Sequence, residues 1–119
     1  MIDLHTHTTF SDGTDTPTQL INKALAAGIT TIALTDHDSI SGWQEATTAL
    51  RPGICLVPGA EVSCQTLDGI SVHILGLLFD SSNTELIDTL EKTRENRFGR
   101  MEKIIAKINE AGIEISMSE

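Results

Sequence analysis

The chain has 119 residues, of which 39% are hydrophobic and 21% charged, as expected for one soluble globular domain. Its formal net charge of −9 argues against a surface that grips the nucleic-acid backbone of a duplex. A pocket of carboxylates neutralised by divalent cations is compatible with that charge. The aromatic residues, Phe10, Trp43, Phe79 and Phe98, are too few for an extended base-stacking platform.

Signals for membranes and disulfides are weak. The start of the chain lacks a basic region followed by an apolar one, and the longest apolar run, 74–79, is too short for a membrane span. Two cysteines, Cys55 and Cys64, do not make a disulfide framework. We therefore predict a cytoplasmic protein in a reduced compartment, with no membrane partner.

The first predicted element is a short buried strand over Met1–Leu4, and His5 and His7 lie at its outgoing end. Because side chains alternate across a strand, these two imidazoles point to the same side, roughly 6–7 Å apart. Such a pair can hold one metal ion, and Asp12 in the following glycine-containing loop can add a carboxylate. The alternative is two surface histidines near a terminus.

A capping box over Thr16–Gln19 predicts the start of a helix, which Gly28 ends. Residues 29–34 are rich in β-branched side chains and predict a second buried strand. This strand runs into the polar segment Thr35–Asp38.

In the second half, a capping signature at Ser41–Gln44 predicts a helix to about Leu50. Residues 54–57 predict a third strand, followed by Pro58–Glu61. Residues 62–66 and 70–79 predict two extended segments joined by a hairpin turn, with His73 in the second.

A third capping box at Ser82–Glu85 predicts a helical region that extends to Gly112, with a break near residues 96–99. Residues 113–119 contain one more strand-like piece.

The alternation of strands and helices indicates parallel βα units. All four histidines lie on or beside strands, and the polar candidates share the place where a strand ends and its helix has yet to begin: His5, His7, Asp36, His37 and Glu61. In α/β folds this carboxyl edge is where sites are built. Each histidine alone is well explained as a hydrogen-bonded core or rim residue, whereas the four together favour a site for several metal ions.

The residue types suit a definite chemistry. Neutral imidazoles and carboxylates bind zinc, manganese or iron, and a carboxylate such as Glu61 can bridge two ions. Two metals roughly 4 Å apart can bind a phosphoryl oxygen and lower the pKa of a bridging water. Asp36 and Asp38 flank His37, and either can accept a hydrogen bond from one of its ring nitrogens and so orient the ring toward a metal ion. The alternative interpretation is that these two aspartates are carboxylates in a solvated turn or at a helix cap.

Five segments together resemble the first motifs of the polymerase-and-histidinol-phosphatase (PHP) superfamily: His5–His7, Ser11–Gly13, Thr35–Asp38, Gly59–Glu61 and Val72–His73. The resemblance implies the N-terminal part of a distorted (β/α)7 barrel with a trinuclear metal centre at its carboxyl mouth. It implies three ligand sets: His5, His7 and Glu61; Glu61 and His73; Asp12 and His37.

Further similarity, in residues 59–63, 72–76 and 94–112, is to the TrpH-like branch of this superfamily. That resemblance implies a metal-dependent phosphoesterase acting on nucleoside 3′,5′-bisphosphates or RNA 5′ ends, with two to three Mn, Zn or Fe ions. It also implies that a helical insertion interrupts the barrel, and that residues 86–112 form the start of this insertion. Two alternatives stay open: a histidinol-phosphate phosphatase, and a metal-stabilised module without catalysis.

The family completes its metal sites with a later histidine and an Asp-x-His pair, whereas all histidines here occur by residue 73. A full barrel also needs about 200 residues or more. We therefore expect the N-terminal portion of a longer protein, with the βα units in 1–80 and the start of the helical insertion in 81–119. Alone it should bind metal more weakly than the whole protein, turn over little, and associate through uncovered strand edges.

Five of the eight basic residues fall within twelve positions: Lys92, Arg94, Arg97, Arg100 and Lys103. One interpretation is a solvated helix in which these alternate with Glu91, Glu95 and Glu102. The functional interpretation is that Arg97, together with Asn96, binds a substrate phosphate near the metals.

Overall fold

The computed structural model describes residues 1–116. It contains four strands and three helices in the order β1 (Ile2–Asp3), α1 (Pro17–Ala26), β2 (Thr31–Leu34), α2 (Trp43–Ala49), β3 (Cys55–Gln65), β4 (Ser71–Leu77) and α3 (Thr84–Glu110). The strands form one sheet in the order β1-β2-β3-β4, parallel from β1 to β3, with β4 antiparallel to β3. The predicted α/β class and the hairpin are confirmed.

The core lies between β2 and the two helices α1 and α2. Helix α1 begins at the predicted capping box, since Thr16 accepts a hydrogen bond from the Gln19 amide and the Gln19 side chain accepts one from the Thr16 amide. It buries Ile21 and Ala24 against the apolar face of β2. The remaining buried residues of this cluster are Ile32, Leu34, Ala46, Ala49 and Ile54. This packing fixes where β2 ends.

The parallel pairing of β2 and β3 brings two polar residues side by side. Its register joins Leu34 to Pro58, and an isolated bridge continues it as His37 beside Glu61. Two backbone hydrogen bonds hold this bridge: Asp38 donates to the Glu61 carbonyl at 3.1 Å, and Glu61 donates to the Asp36 carbonyl at 3.2 Å. The polar segment that follows β2 is thereby held beside Glu61, which lies inside β3 and not at a strand end as the sequence predicts.

Strand β3 corrects the sequence prediction, because it is continuous over Cys55–Gln65 where two separate strands were expected. Residues 55–58 pair with β2 and residues 59–65 with β4, so partners on both sides override the Pro58-Gly59 turn signal. A β-carbon at Gly59 would lie 2.7 Å from the Leu77 side chain, so only glycine allows this close approach.

Helix α3 is likewise continuous over Thr84–Glu110, and the predicted break near residues 96–99 is wrong. A glycine inside a helix costs roughly 1 kcal/mol relative to alanine. The other residues of this 27-residue helix favour the helical conformation enough to outweigh that cost. Residues 113–116 form no strand, contrary to prediction, and residues 117–119 of that predicted piece lie outside the described residues.

Two caps also differ from prediction. The N-cap of α3 is Asn83, which accepts a hydrogen bond from the Leu86 amide, while Ser82 bonds to Asp80 instead. The N-cap of α2 is Gly42, with no side-chain capping bond from Ser41. The division of the chain into 1–80 and 81–119 stays a prediction.

Several large apolar side chains are exposed on β4 and α3: Ile74, Leu75, Leu77, Phe98, Met101 and Ile104. Within the described part of the chain, no helix combines the length and apolar character needed to cross a membrane.

Candidate metal centre

His5 and His7 leave β1 and converge on a single carboxylate oxygen. The Nε2 atoms of His5 and His7 lie 2.9 Å and 3.0 Å from Oε2 of Glu61. The two ring centroids are 5.1 Å apart. The strand end therefore aims both imidazoles at the same point, as the alternation of side chains predicts.

Asp12 lies on the loop between β1 and α1 and faces two imidazoles. Its Oδ1 is 3.2 Å from Nδ1 of His7, and its Oδ2 is 3.5 Å from Nε2 of His37. The rings of His7 and His37 have centroids 4.7 Å apart. One loop carboxylate thus spans the ends of β1 and β2.

His73 reaches the site from β4. In the antiparallel register Glu61 pairs with Leu75, so His73 is its diagonal neighbour on the same face of the hairpin. Its Nδ1 lies 2.9 Å from Oε1 of Glu61, and its ring centroid is 4.9 Å from that of His37.

Glu61 is the centre of this arrangement. It is only 7% exposed, and its two oxygens approach the rings of all four histidines, with His37 the most distant at 3.7 Å. Burial raises the pKa of Glu61, but the hydrogen bond from His5 and the charge of His37 outweigh it, so the pKa lies below its ordinary value. Glu61 is therefore ionised, as a bridging ligand must be.

The donor set fits divalent zinc, manganese or iron. Ligand atoms lie within 4.8 Å of one another in three groups: His5, His7 and Glu61; His7, Asp12 and His37; His37, Glu61 and His73. Each group contains one of the ligand sets that the resemblance implies.

His37 provides a second test of the fit. Its Nδ1 is buried and has no hydrogen-bond partner among the described residues, which is costly unless another ligand takes it up. Burial lowers the pKa of His37 below its ordinary value, outweighing the opposing charges of Glu61 and Asp12. A buried imidazole nitrogen that has no partner in the described part of the chain is a position that a metal ion can occupy.

Asp36 and Asp38 are buried, 1% and 2% exposed, and neither is a solvated turn residue. Asp36 accepts hydrogen bonds from Thr8 and Ser11. Asp38 accepts them from Ser63 and Arg97. Across residues 1–116, neither carboxylate bonds a histidine ring directly, so any influence on the imidazoles passes through these neighbours.

Arg97 extends from α3 to the rim of the site. Its Nη1 lies 3.3 Å from both Oδ2 of Asp38 and Oγ of Ser63. Together with Asp12 and His37 it lines an open cavity of about 680 Å³. Asn96 is exposed and does not line this cavity.

The sequence interpretation gave no role to Thr8, Ser11 or Ser63. The available signal was position alone, since each hydroxyl residue follows or precedes a proposed ligand by one or two places.

Comparison with known proteins shows what family these motifs belong to. The PHP domain family matches the chain over residues 3–117. The chain belongs to the PHP family. The resemblance drawn from its motifs is therefore confirmed, and the sheet with its three helices is the N-terminal part of a PHP-like barrel.

Two curated relatives match nearly the whole chain. A 5′-3′ exoribonuclease of Haemophilus influenzae is 40% identical over 93% of this chain and 40% of its own length. A 3′,5′-nucleoside bisphosphate phosphatase of Chromobacterium violaceum is 42% identical over 94% and 39%. The chain thus spans about two fifths of the length of these relatives, which are hydrolases of phosphate esters.

A solved structure supports the same placement. A Bifidobacterium adolescentis protein assigned as a metal-dependent phosphoesterase superposes with a TM-score of 0.89 at 34% identity. The match covers 98% of this chain and 41% of that one.

Gly13 allows the loop that carries Asp12 to fold tightly, so we expect Gly13→Ala to disturb the site. Its β-carbon would overlap the carbonyl group of His7, which is backbone and cannot rotate away, so the loop must shift. Overpacking of this kind costs typically about 1–3 kcal/mol. Urea unfolding measures this loss, and zinc titration should show weaker binding.

Gly99→Ala is the matched control, because nothing lies within 4 Å of its β-carbon and it is inside α3. That change should raise the free energy of unfolding by about 0.5–1 kcal/mol. If Gly13→Ala and Gly99→Ala changed the free energy of unfolding and the zinc affinity equally, the loop would have room for a side chain at position 13.

Proposed function

We propose that the protein is a metal-dependent phosphoesterase that hydrolyses phosphate monoesters of nucleotides or of RNA 5′ ends with a metal-activated water. The observation that supports this is the buried, ionised Glu61 surrounded by four imidazoles at the carboxyl edge of the sheet. The names of the two curated relatives point to the same substrates. Two to three Mn, Zn or Fe ions would occupy the three ligand groups.

When bound, such ions supply a hydroxide at neutral pH and stabilise charge on the phosphoryl oxygens. The chain's own part is to place the ligands. Glu61 has one oxygen toward His5 and His7 and the other toward His73, the geometry of a carboxylate shared by two sites. Asp12 adds a third position between His7 and His37.

Arg97 would bind the phosphate of the substrate. Asp38 is buried and holds only Nη1 of this guanidinium, and no further hydrogen bond of Arg97 is found besides the one to Ser63 among the described residues. The side chain is 49% exposed and borders the cavity beside Asp12 and His37. A planar guanidinium held on one edge can still pair with phosphate oxygens. Asn96, one residue earlier, is proposed as a second phosphate-binding residue on the basis of the sequence alone.

We expect Arg97→Ala to raise the KM of the full-length protein about tenfold or more, since a charge-assisted contact to phosphate contributes roughly 1.5–3 kcal/mol. Steady-state phosphate release measures it. Arg100→Ala on the same helix is the control and should leave KM unchanged, because Arg100 is exposed and does not line the cavity. An unchanged KM in Arg97→Ala removes Arg97 from the substrate site.

The substrate is tested by the phosphate that the full-length protein releases in manganese from three compounds: a 3′,5′-bisphosphonucleotide, a 5′-phosphorylated short RNA and histidinol phosphate. The first two should be hydrolysed and the third should not. Preference for histidinol phosphate would identify the other phosphatase of the superfamily. Metal-dependent folding without hydrolysis of any of them would identify a structural module.

A cellular location and self-association are proposed as well. Cys55 and Cys64 are free, which fits a reduced, cytoplasmic location. The exposed apolar side chains of β4 fit self-association of this chain.

A further inference from the structure

Asp36 is a buried carboxylate that belongs to none of the three ligand groups. It directly precedes His37 at the end of β2. Burying an ionised carboxylate is costly unless hydrogen bonds compensate. The site described above gives no use for this charge, so its partners show what it does.

Three short hydrogen bonds reach Asp36, all from the loop between β1 and α1. The amide and hydroxyl of Thr8 donate to Oδ1 and Oδ2, each at 2.7 Å. The hydroxyl of Ser11 donates to Oδ1 at 2.6 Å. Bonds this short are typical of donors to an ionised carboxylate and are stronger than those between neutral groups.

Asp36 and its two hydrogen-bond donors are each next in the chain to a proposed metal ligand. Thr8 directly follows His7, Ser11 directly precedes Asp12, and Asp36 directly precedes His37. Those three neighbours, His7, Asp12 and His37, are the complete membership of one ligand group. The Asp36 contacts therefore join all three ligand-bearing positions of that group, which come from two segments of the chain.

Ser11 adds a direct link to one of the ligands. With its proton donated to Asp36, its Oγ can still accept from the His7 ring, whose Nδ1 lies 3.4 Å away. The loop is also tied back on itself, because the amides of Ser11 and Gly13 both donate to the Thr8 carbonyl. Thr8 is fully buried at 0% exposure, so the anchor is inside the protein and the ligands are at the rim.

We propose that Asp36 is a positioning residue for one specific metal position, the one formed by His7, Asp12 and His37, and acts through Thr8 and Ser11. The inference rests on the proposed metal centre. His5 and His73 belong only to the other two groups, so they report on metal binding that does not depend on Asp36.

The test is zinc titration followed by calorimetry and by long-range ¹H–¹⁵N spectra of the four histidine rings. Ser11→Ala should keep the fold and weaken zinc binding at this position about tenfold, as loss of an outer contact to a ligand does. His7 and His37 each belong to this group and to one other, so part of their zinc-induced ring shifts should then require more zinc. The shifts of His5 and His73 should keep their wild-type midpoints. Asp36→Asn should show the same selective effect, and more strongly.

Ser39→Ala is the matched control, since its hydroxyl accepts a hydrogen bond from the Ser41 amide and takes no part in the contacts of Asp36. It should bind zinc as the wild type does. If Asp36→Asn does not fold, the zinc titration of Ser11→Ala alone tests the inference. Wild-type affinity in a folded Ser11→Ala variant, or an equal loss of response at all four rings, overturns the inference. Absence of zinc binding by the wild type overturns the metal centre itself and the inference with it.

Discussion

In the full-length protein, replacing Glu61 with glutamine is expected to abolish high-affinity metal binding and, with it, phosphoester hydrolysis. The carboxylate takes part in two of the three ligand groups and is buried, so water cannot replace it. Glutamine keeps the size of the side chain but removes its charge and places an NH2 donor where a ligand oxygen lay. We expect zinc affinity to fall at least about 100-fold, and kcat to fall with it.

Calorimetric zinc titration and phosphate release measure the two effects. Glu95→Gln, an exposed change on α3, is the control for loss of one negative charge and should alter neither quantity. A Glu61→Gln variant that still bound two or more ions tightly would mean that Glu61 is not a shared ligand, and the proposed mechanism would have to be abandoned.

Saturating zinc or manganese should raise the melting temperature of the protein by roughly 10 °C. The ligands come from four separate parts of the chain, 5–12, 37, 61 and 73, so the unfolded chain cannot hold them together. A ligand at 100 times its Kd stabilises the folded state by about 2.7 kcal/mol. For a chain of this size that corresponds to a shift of this order in melting temperature.

Differential scanning calorimetry with metal and with a chelator measures the shift. Magnesium is the matched control ion, because it prefers oxygen ligands and the groups here are rich in imidazole. Glu61→Gln should lose most of the zinc-induced shift. The same melting temperature in zinc and in chelator would show that the four imidazoles are not a metal centre.

The corrected elements show where local signals lose to tertiary contacts. Pro58-Gly59 indicates a turn, yet β3 runs through it because β2 and β4 pair with it on either side. Gly99 and the polar residues before it indicate a break, yet α3 continues because its flanking residues are good helix formers. Propensity is local, whereas strand pairing depends on residues far away in the chain.

The sequence by itself determined the fold class, the family and the group of candidate ligands. Polar residues that follow the parallel strands β1 and β2, such as His5, His7 and His37, must meet at one edge of the sheet. Glu61 and His73 lie inside strands, and strand pairing brings them to the same place. The same reasoning found the hairpin that carries His73.

Only the tertiary structure decided how the other polar residues are used. Asp36 and Asp38 flank His37 symmetrically in the sequence, yet one bonds the loop of Thr8 and Ser11 while the other bonds Ser63 and Arg97. Asp38 has a φ of +50°, a left-handed conformation for which sequence gives little signal. Which partner a buried carboxylate meets depends on strand register and helix docking, because contacts across 25 to 59 residues leave no periodic trace in the chain.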